Sequence, residues 1–146
     1  MVRLVVFIAF LFFGATSFAQ LRTIPVQVED AFKQKYPAAE NVAFKDNLVN
    51  VHISFELSGE KLTATYNNKG MWKETEKEWT FEQLPADVKV GFEKSKYAEW
   101  KVTETKVLYR PDGKERFRVK VEKSDLQKRN LMFSAEGRLI QEGATL

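Results

Sequence analysis

Few residues in this chain could do chemistry, and their spacing limits what that chemistry could be. His52 is the only histidine in 146 residues, and there is no cysteine. Thiol nucleophiles, disulfides, thiolate zinc sites and a lipid-bearing N-terminal cysteine are therefore excluded. His52 lies in Val51-His52-Ile53-Ser54-Phe55-Glu56, a period-two pattern that puts His52, Ser54 and Glu56 on one strand face. A Ser/His hydrolase would also need an orienting carboxylate and an oxyanion hole. No nucleophile-elbow motif is present, so His52 reads as an exposed strand histidine. One histidine without paired carboxylates nearby also makes a poor metal site. Glu74, Glu76 and Glu78 alternate along another strand, about 6.6 Å apart, so calcium would need ligands from elsewhere. They read as a solvated face whose repulsion is offset by Lys61 or other basic neighbours. The remaining candidates are Arg116, Arg118 and Lys120, outward on one strand where the corresponding earlier strand has Asn50, His52 and Ser54. Such a stripe suits an acidic protein partner, an anionic glycan or a phosphate-bearing envelope polymer. An ordinary solvated strand surface gives the same alternation.

These side chains need elements to hold them, and the composition supports a folded core. The chain is 44% hydrophobic and 29% charged, with a formal net charge of +3. That is globular, not disordered, and too mildly basic to imply nucleic acid. Met1 to Ala19 has a basic Arg3, an apolar run and a Ser17-Phe18-Ala19 ending. It reads as a signal peptide cleaved before Gln20 and is too short for a membrane span. The mature chain has 127 residues (146 minus 19) and no further candidate span. The expected location is the periplasm or outside the cell.

The mature sequence repeats itself. Ile24-Pro25 through Phe32 aligns with Leu84-Pro85 through Phe92, and Lys35-Tyr36 aligns with Lys96-Tyr97. Val51 to Glu56 aligns with Phe117 to Glu122, and Tyr66 to Gly70 with Phe133 to Gly137. The offset grows only between elements, as loop insertions would make it. Each copy predicts a helix with proline at its first position, followed by three or four antiparallel strands. Residues 20–80 and 81–146 are the two expected units, packed as one domain without a Gly/Ser linker. Ser58-Gly59 predicts a two-residue hairpin pairing Phe55 with Leu62, Ile53 with Ala64 and Val51 with Tyr66. In the second copy Phe117 meets Phe133, Val119 meets Leu131 and Glu122 meets Lys128. Arg110-Pro111-Asp112-Gly113 predicts a type I turn. The facing of the strand before it is ambiguous, because Val102 and Val107 fall on opposite sides. Trp72 reads as core, while Trp79 and Trp100 lie near the junctions between elements.

The ordered set of Leu/Ile-Pro starts, Lys-Tyr helix ends, the Pro-Asp-Gly-Lys turn, Val-Lys-Val-Glu-Lys and Phe-Ser-Ala-Glu-Gly-Arg-Leu resembles the exported PepSY-like proteins, also termed beta-lactamase-inhibitor-like. The resemblance spans Leu21 to Glu142. It implies an α+β fold of two helix-plus-sheet units, one curved antiparallel sheet and helices on one face. It also implies an envelope location and brings no catalytic residues, metal or cofactor. The resulting expectation is a non-enzymatic binding module, inhibitor-like, that engages an unknown envelope or secreted protein through the open sheet face. The alternative is an anionic small ligand or envelope polymer held by the basic strand. The expected binding residues are Arg116, Arg118, Lys120 and His52.

Overall fold

The computed structural model describes residues 23–144, so the expected signal segment Met1 to Ala19 lies outside the described residues. In chain order the elements are α1 (Val26–Lys35), β1 (Glu40–Asp46), β2 (Asn50–Leu57), β3 (Glu60–Asn67) and β4 (Trp72–Trp79). A 3-10 turn (Phe81–Gln83) leads to α2 (Ala86–Glu93), followed by β5 (Lys101–Tyr109), β6 (Glu115–Ser124), β7 (Gln127–Ser134) and β8 (Leu139–Ala144). Pro25 and Pro85 stand immediately before the helices and are not their first helical residues.

All eight strands join one antiparallel sheet in sequence order. The hairpin between β2 and β3 has the expected register, Phe55 with Leu62, Ile53 with Ala64 and Val51 with Tyr66. Ser58 and Gly59 both have positive φ, 53° and 80°, the two-residue turn whose twist matches that of its strands. The hairpin between β6 and β7 also pairs as expected. The sheet is continuous between the halves because β4 pairs with β5, placing Thr75 opposite Tyr109, Lys77 opposite Val107 and Trp79 opposite Thr105.

A bulge resolves the facing of β5. Val102 pairs with Val121 and Glu104 with Lys120, so two steps along β5 match one along β6. The extra residue turns Val102 to the same side as Val107, and both pack into one core.

Residues directly opposite across a ladder share a face. Following partners from strand to strand therefore puts Ile53, Ala64 and Thr75 on the same side as Val107, Phe117 and Phe133. Val28 and Phe32 of α1 pack on the first part of this side, and Val88 and Phe92 of α2 pack on the second. Both helices thus lie on one face, and burial of each large apolar side chain there contributes about 1.5–3 kcal/mol.

Equivalent contacts hold each helix down. A Cβ on Gly70 would lie 2.5 Å from the Gln27 carbonyl oxygen, and one on Gly137 would lie 2.0 Å from that of Asp87. Tyr36 Oη bonds Thr75 Oγ1 at 2.6 Å, and Tyr97 Oη donates to Glu142 Oε2 at 3.0 Å.

Candidate functional site

Among the described residues the other face of the sheet carries no helix, and its side chains follow from the same registers. One row across the strands reads Ser54, Thr63, Glu76, Leu108, Arg116 and Ser134. Toward one end of the sheet lies a second row, Glu78, Lys106, Arg118 and Met132. Toward the other end His52, Thr65 and Glu74 form a third.

Acidic residues on β4 meet basic ones on β5 and β6. Lys106 Nζ donates to Glu76 Oε1 at 2.9 Å, and Arg118 binds the other oxygen of the same carboxylate. Lys106 also approaches Glu104 at 3.6 Å, and Arg110 pairs with Glu74 at 3.0 Å. The array is largely shielded: the Glu76 and Lys106 side chains are 19% and 16% exposed. Burial pushes the Glu76 pKa up, but the hydrogen bond from Lys106 and the charges of Arg118 and Lys106 outweigh it. The carboxyl therefore titrates below the usual range. Leu108, in the row between Glu76 and Arg116, is fully buried although none of the described helices covers this face. The long polar side chains around it form its cover.

Arg116, Arg118 and Lys120 all point to this face, but they do not form a free cationic stripe. Arg118 is held by Glu76, and Arg116 pairs with Asp112 at 3.1 Å. Of the three, only Lys120 has no carboxylate partner among the described residues; it lies opposite Glu104 and Asn130. The Glu74–Glu78 stripe is correspondingly not simply solvated. Glu76 is paired by Lys106 of β5 and Arg118 of β6, and Glu74 by Arg110 just after β5, not by Lys61.

His52 is not brought to the basic residues. It lies on β2, four strands from β6, about 19 Å away at normal strand spacing. Both of its ring nitrogens are occupied. Asn47 Nδ2 lies 3.0 Å from Nε2, and Asn47 Oδ1 accepts the Asn50 N–H at 2.8 Å. The amide nitrogen can only donate, so Nε2 accepts and the neutral ring carries its proton on Nδ1, which faces Thr65 Oγ1 at 3.0 Å. Ser54 Oγ faces Thr63 Oγ1 at 3.4 Å, and no nucleophile–base pair forms around His52. Among the described residues no group of three or more acidic or histidine side chains converges as a metal site. No helix among them is long and apolar enough to cross a membrane.

Beside the ion-paired array the face dips into a shallow depression of about 340 Å³, lined in part by Ser54, Glu56, Lys61, Thr63, Glu76 and Lys106. Reading the sequence missed Lys106 and Leu108. The signal was there in Glu104-x-Lys106-x-Leu108-x-Arg110, once that run is laid against Glu74-x-Glu76-x-Glu78.

Comparison with known proteins places this architecture. A BLIP-like protein from Bacteroides fragilis has a similar structure, with 26% identity, a TM-score of 0.73, and coverage of 85% of this chain and 88% of its own. A DUF2874 family protein from Bacteroides ovatus is similar at 24% identity and TM-score 0.74, covering 84% and 88%. A protein described as a putative periplasmic protein from Bacteroides eggerthii is similar at 21% identity and TM-score 0.72, covering 84% and 89%. Among curated proteins none matches the chain. A family model described as "Putative beta-lactamase-inhibitor-like, PepSY-like" matches residues 49–141, more than half of the sequence. The chain belongs to this PepSY-like, beta-lactamase-inhibitor-like family.

Proposed function

We propose that this chain is an exported, non-enzymatic binding module, inhibitor-like in action, that engages a protein partner through the uncovered face of its sheet. The observation that carries the reading is the asymmetry of the two faces. Helices cover one, while the other presents ion-paired side chains beside a shallow depression. Side chains already fixed lose little freedom on binding. Eight strands give a face about 34 Å wide, and strands of six or more residues run about 20 Å. The product, about 700 Å², approaches the ~800 Å² that one partner contributes to a standard protein interface. Membership of an inhibitor-like family supports the same reading. Export is supported by the Met1–Ala19 segment and by the relative described as a putative periplasmic protein.

We further read residues 20–80 and 81–146 as two copies of one unit. The matched Gly70–Gln27 and Gly137–Asp87 contacts support this, as do the matched Tyr36–Thr75 and Tyr97–Glu142 bonds. An anionic ligand on the basic strand is the weaker reading, because the Arg116 and Arg118 guanidiniums already have carboxylate partners.

The test is affinity capture from an envelope extract. A stoichiometric protein partner is expected with the unaltered chain. It should be lost with Arg116→Ser/Arg118→Ser/Lys120→Ser and with Thr63→Trp, which fills the depression without adding a charge opposite Glu76. Retention of every interaction by both variants would refute the open-face assignment.

A further inference from the structure

Strict antiparallel order puts the four turns β1–β2, β3–β4, β5–β6 and β7–β8 at one end of the sheet. In the first half this end is apolar and exposed. Val26, Val49 and Met71 are 65%, 69% and 59% exposed, and the Leu48 side chain is exposed as well. Three segments join to make the patch. Asn68 Nδ2 donates to the Leu48 carbonyl at 2.7 Å, tying the two turns together. Val26 and Met71 flank the close approach of Gly70 to the Gln27 carbonyl.

The exposure is built into the fold. Asn67 Oδ1 accepts the N–H groups of both Lys69 and Met71 at 3.0 Å, and Asn67 N–H donates to the Met71 carbonyl. Asp46 Oδ1 accepts the Leu48 N–H at 2.7 Å, and Leu48 is held at φ 74°, an unusual conformation for a bulky residue. The second half has Ala86 where the first has Val26, and Arg138 where it has Met71. Its β5–β6 turn is Pro111-Asp112-Gly113-Lys114. The apolar end is thus particular to the first half.

The surrounding charge favours one occupant. Around the patch, Lys69 and Lys73 stand beside Asp46, whose Oδ1 accepts the Leu48 N–H, and Glu74, which is paired with Arg110. Lys69 and Lys73 are exposed and have no carboxylate partner among the described residues. Protein interfaces are rich in aromatic residues and poor in lysine, whereas the exposed large apolar side chains of this patch are aliphatic and its neighbours are lysines. That combination suits insertion at an anionic membrane surface.

We propose that this end of the protein docks on an anionic lipid surface. Val26, Val49 and Met71 enter the headgroup–acyl boundary, and Lys69 and Lys73 sit at the phosphates. The docking end is distinct from the open sheet face, so the two assignments stand or fall separately.

A chain beginning at Gln20 keeps every core residue found among the described residues and removes the apolar Met1–Ala19 segment from the assay. Co-sedimentation with vesicles containing phosphatidylglycerol, set against phosphatidylcholine alone, tests the proposal. Binding is expected to the anionic vesicles and to fall on the order of tenfold in Val49→Ser/Met71→Ser. It should fall by a similar factor in Lys69→Ser/Lys73→Ser. Leu126→Ser, at the opposite end and 95% exposed, should bind as the unaltered chain does. Absence of sedimentation with anionic vesicles would overturn the proposal and leave the patch to a protein partner. Equal binding by Val49→Ser/Met71→Ser would overturn it as well.

Discussion

Replacing Glu76 with glutamine probes the array that rigidifies the open face. The substitution keeps the shape and removes the charge that Lys106 and Arg118 share. At the 2.9 Å separation of Glu76 and Lys106, two unit charges attract by about 6 kcal/mol at an effective dielectric near 20. Desolvation of both ions cancels most of that. Breaking a fully buried pair costs about 3–5 kcal/mol and an exposed one about 0–1. Less than one-fifth exposed, the Glu76–Lys106 pair falls between, and about 2 kcal/mol is expected for Glu76→Gln. Urea unfolding at pH 7 reads this directly. A cycle with Lys106→Met should return a coupling of about 1 kcal/mol or more. The pH dependence gives a second reading. The Glu76 carboxyl has a lowered pKa in the folded protein, so the unfolded chain takes up a proton first on acidification. Its contribution is complete above the ordinary carboxylate pKa and is lost as pH falls through the folded value. The unaltered and Glu76→Gln proteins should therefore converge in stability in acid. A coupling near zero, or a stability gap that persists in acid, would refute the reasoning.

Other substitutions separate packing from backbone effects. Gly137→Ala puts a Cβ 2.0 Å from the Asp87 carbonyl oxygen at φ 75° and should cost about 3 kcal/mol or more, through a clash added to left-handed strain. Gly113→Ala, at φ 71° with nothing within 4 Å, should cost only about 1–2 kcal/mol; equal losses in thermal unfolding would contradict the close helix–turn packing. Phe117→Ala empties a fully buried site against Trp79 and should cost about 3–5 kcal/mol, measured by urea unfolding. The Tyr66 pKa is raised by burial and then by Tyr36, and its buried hydroxyl has no hydrogen-bond partner among the described residues. Its contribution is full below about pH 10 and declines above, where the unfolded chain ionises first. Tyr66→Phe should be near neutral at pH 7 and lose less stability than the unaltered chain in alkali.

The hairpin registers were legible because both faces of β2 and β3 carry a signal. Slipping Phe55 off Leu62 would also part Glu56 from Lys61, so two constraints choose one pairing. The facing of β5 was not legible, since a bulge between Val102 and Glu104 breaks the period-two rule that reads it. The open face was half legible. Arg116, Arg118 and Lys120 share a side by simple alternation. The neutralisation of Arg118 by Glu76 and of Arg116 by Asp112 depends on the β4–β5 ladder and the β5–β6 turn, contacts that no single strand encodes. His52 was placed on the right face, but its ties to Asn47 and Thr65 needed the turn geometry of Asn47 and Asn50. Alternation assigns faces without measuring the distance across intervening strands, so it grouped His52 with residues four strands away.

The central claim is that the uncovered sheet face meets the partner while the helical face does not. A photo-crosslinking amino acid at Thr63, in the depression, can be compared with one at Glu93 on exposed α2, each produced in envelope-exporting cells. The account predicts a discrete protein adduct from Thr63 and none from Glu93. An adduct from Glu93 with none from Thr63 would contradict it.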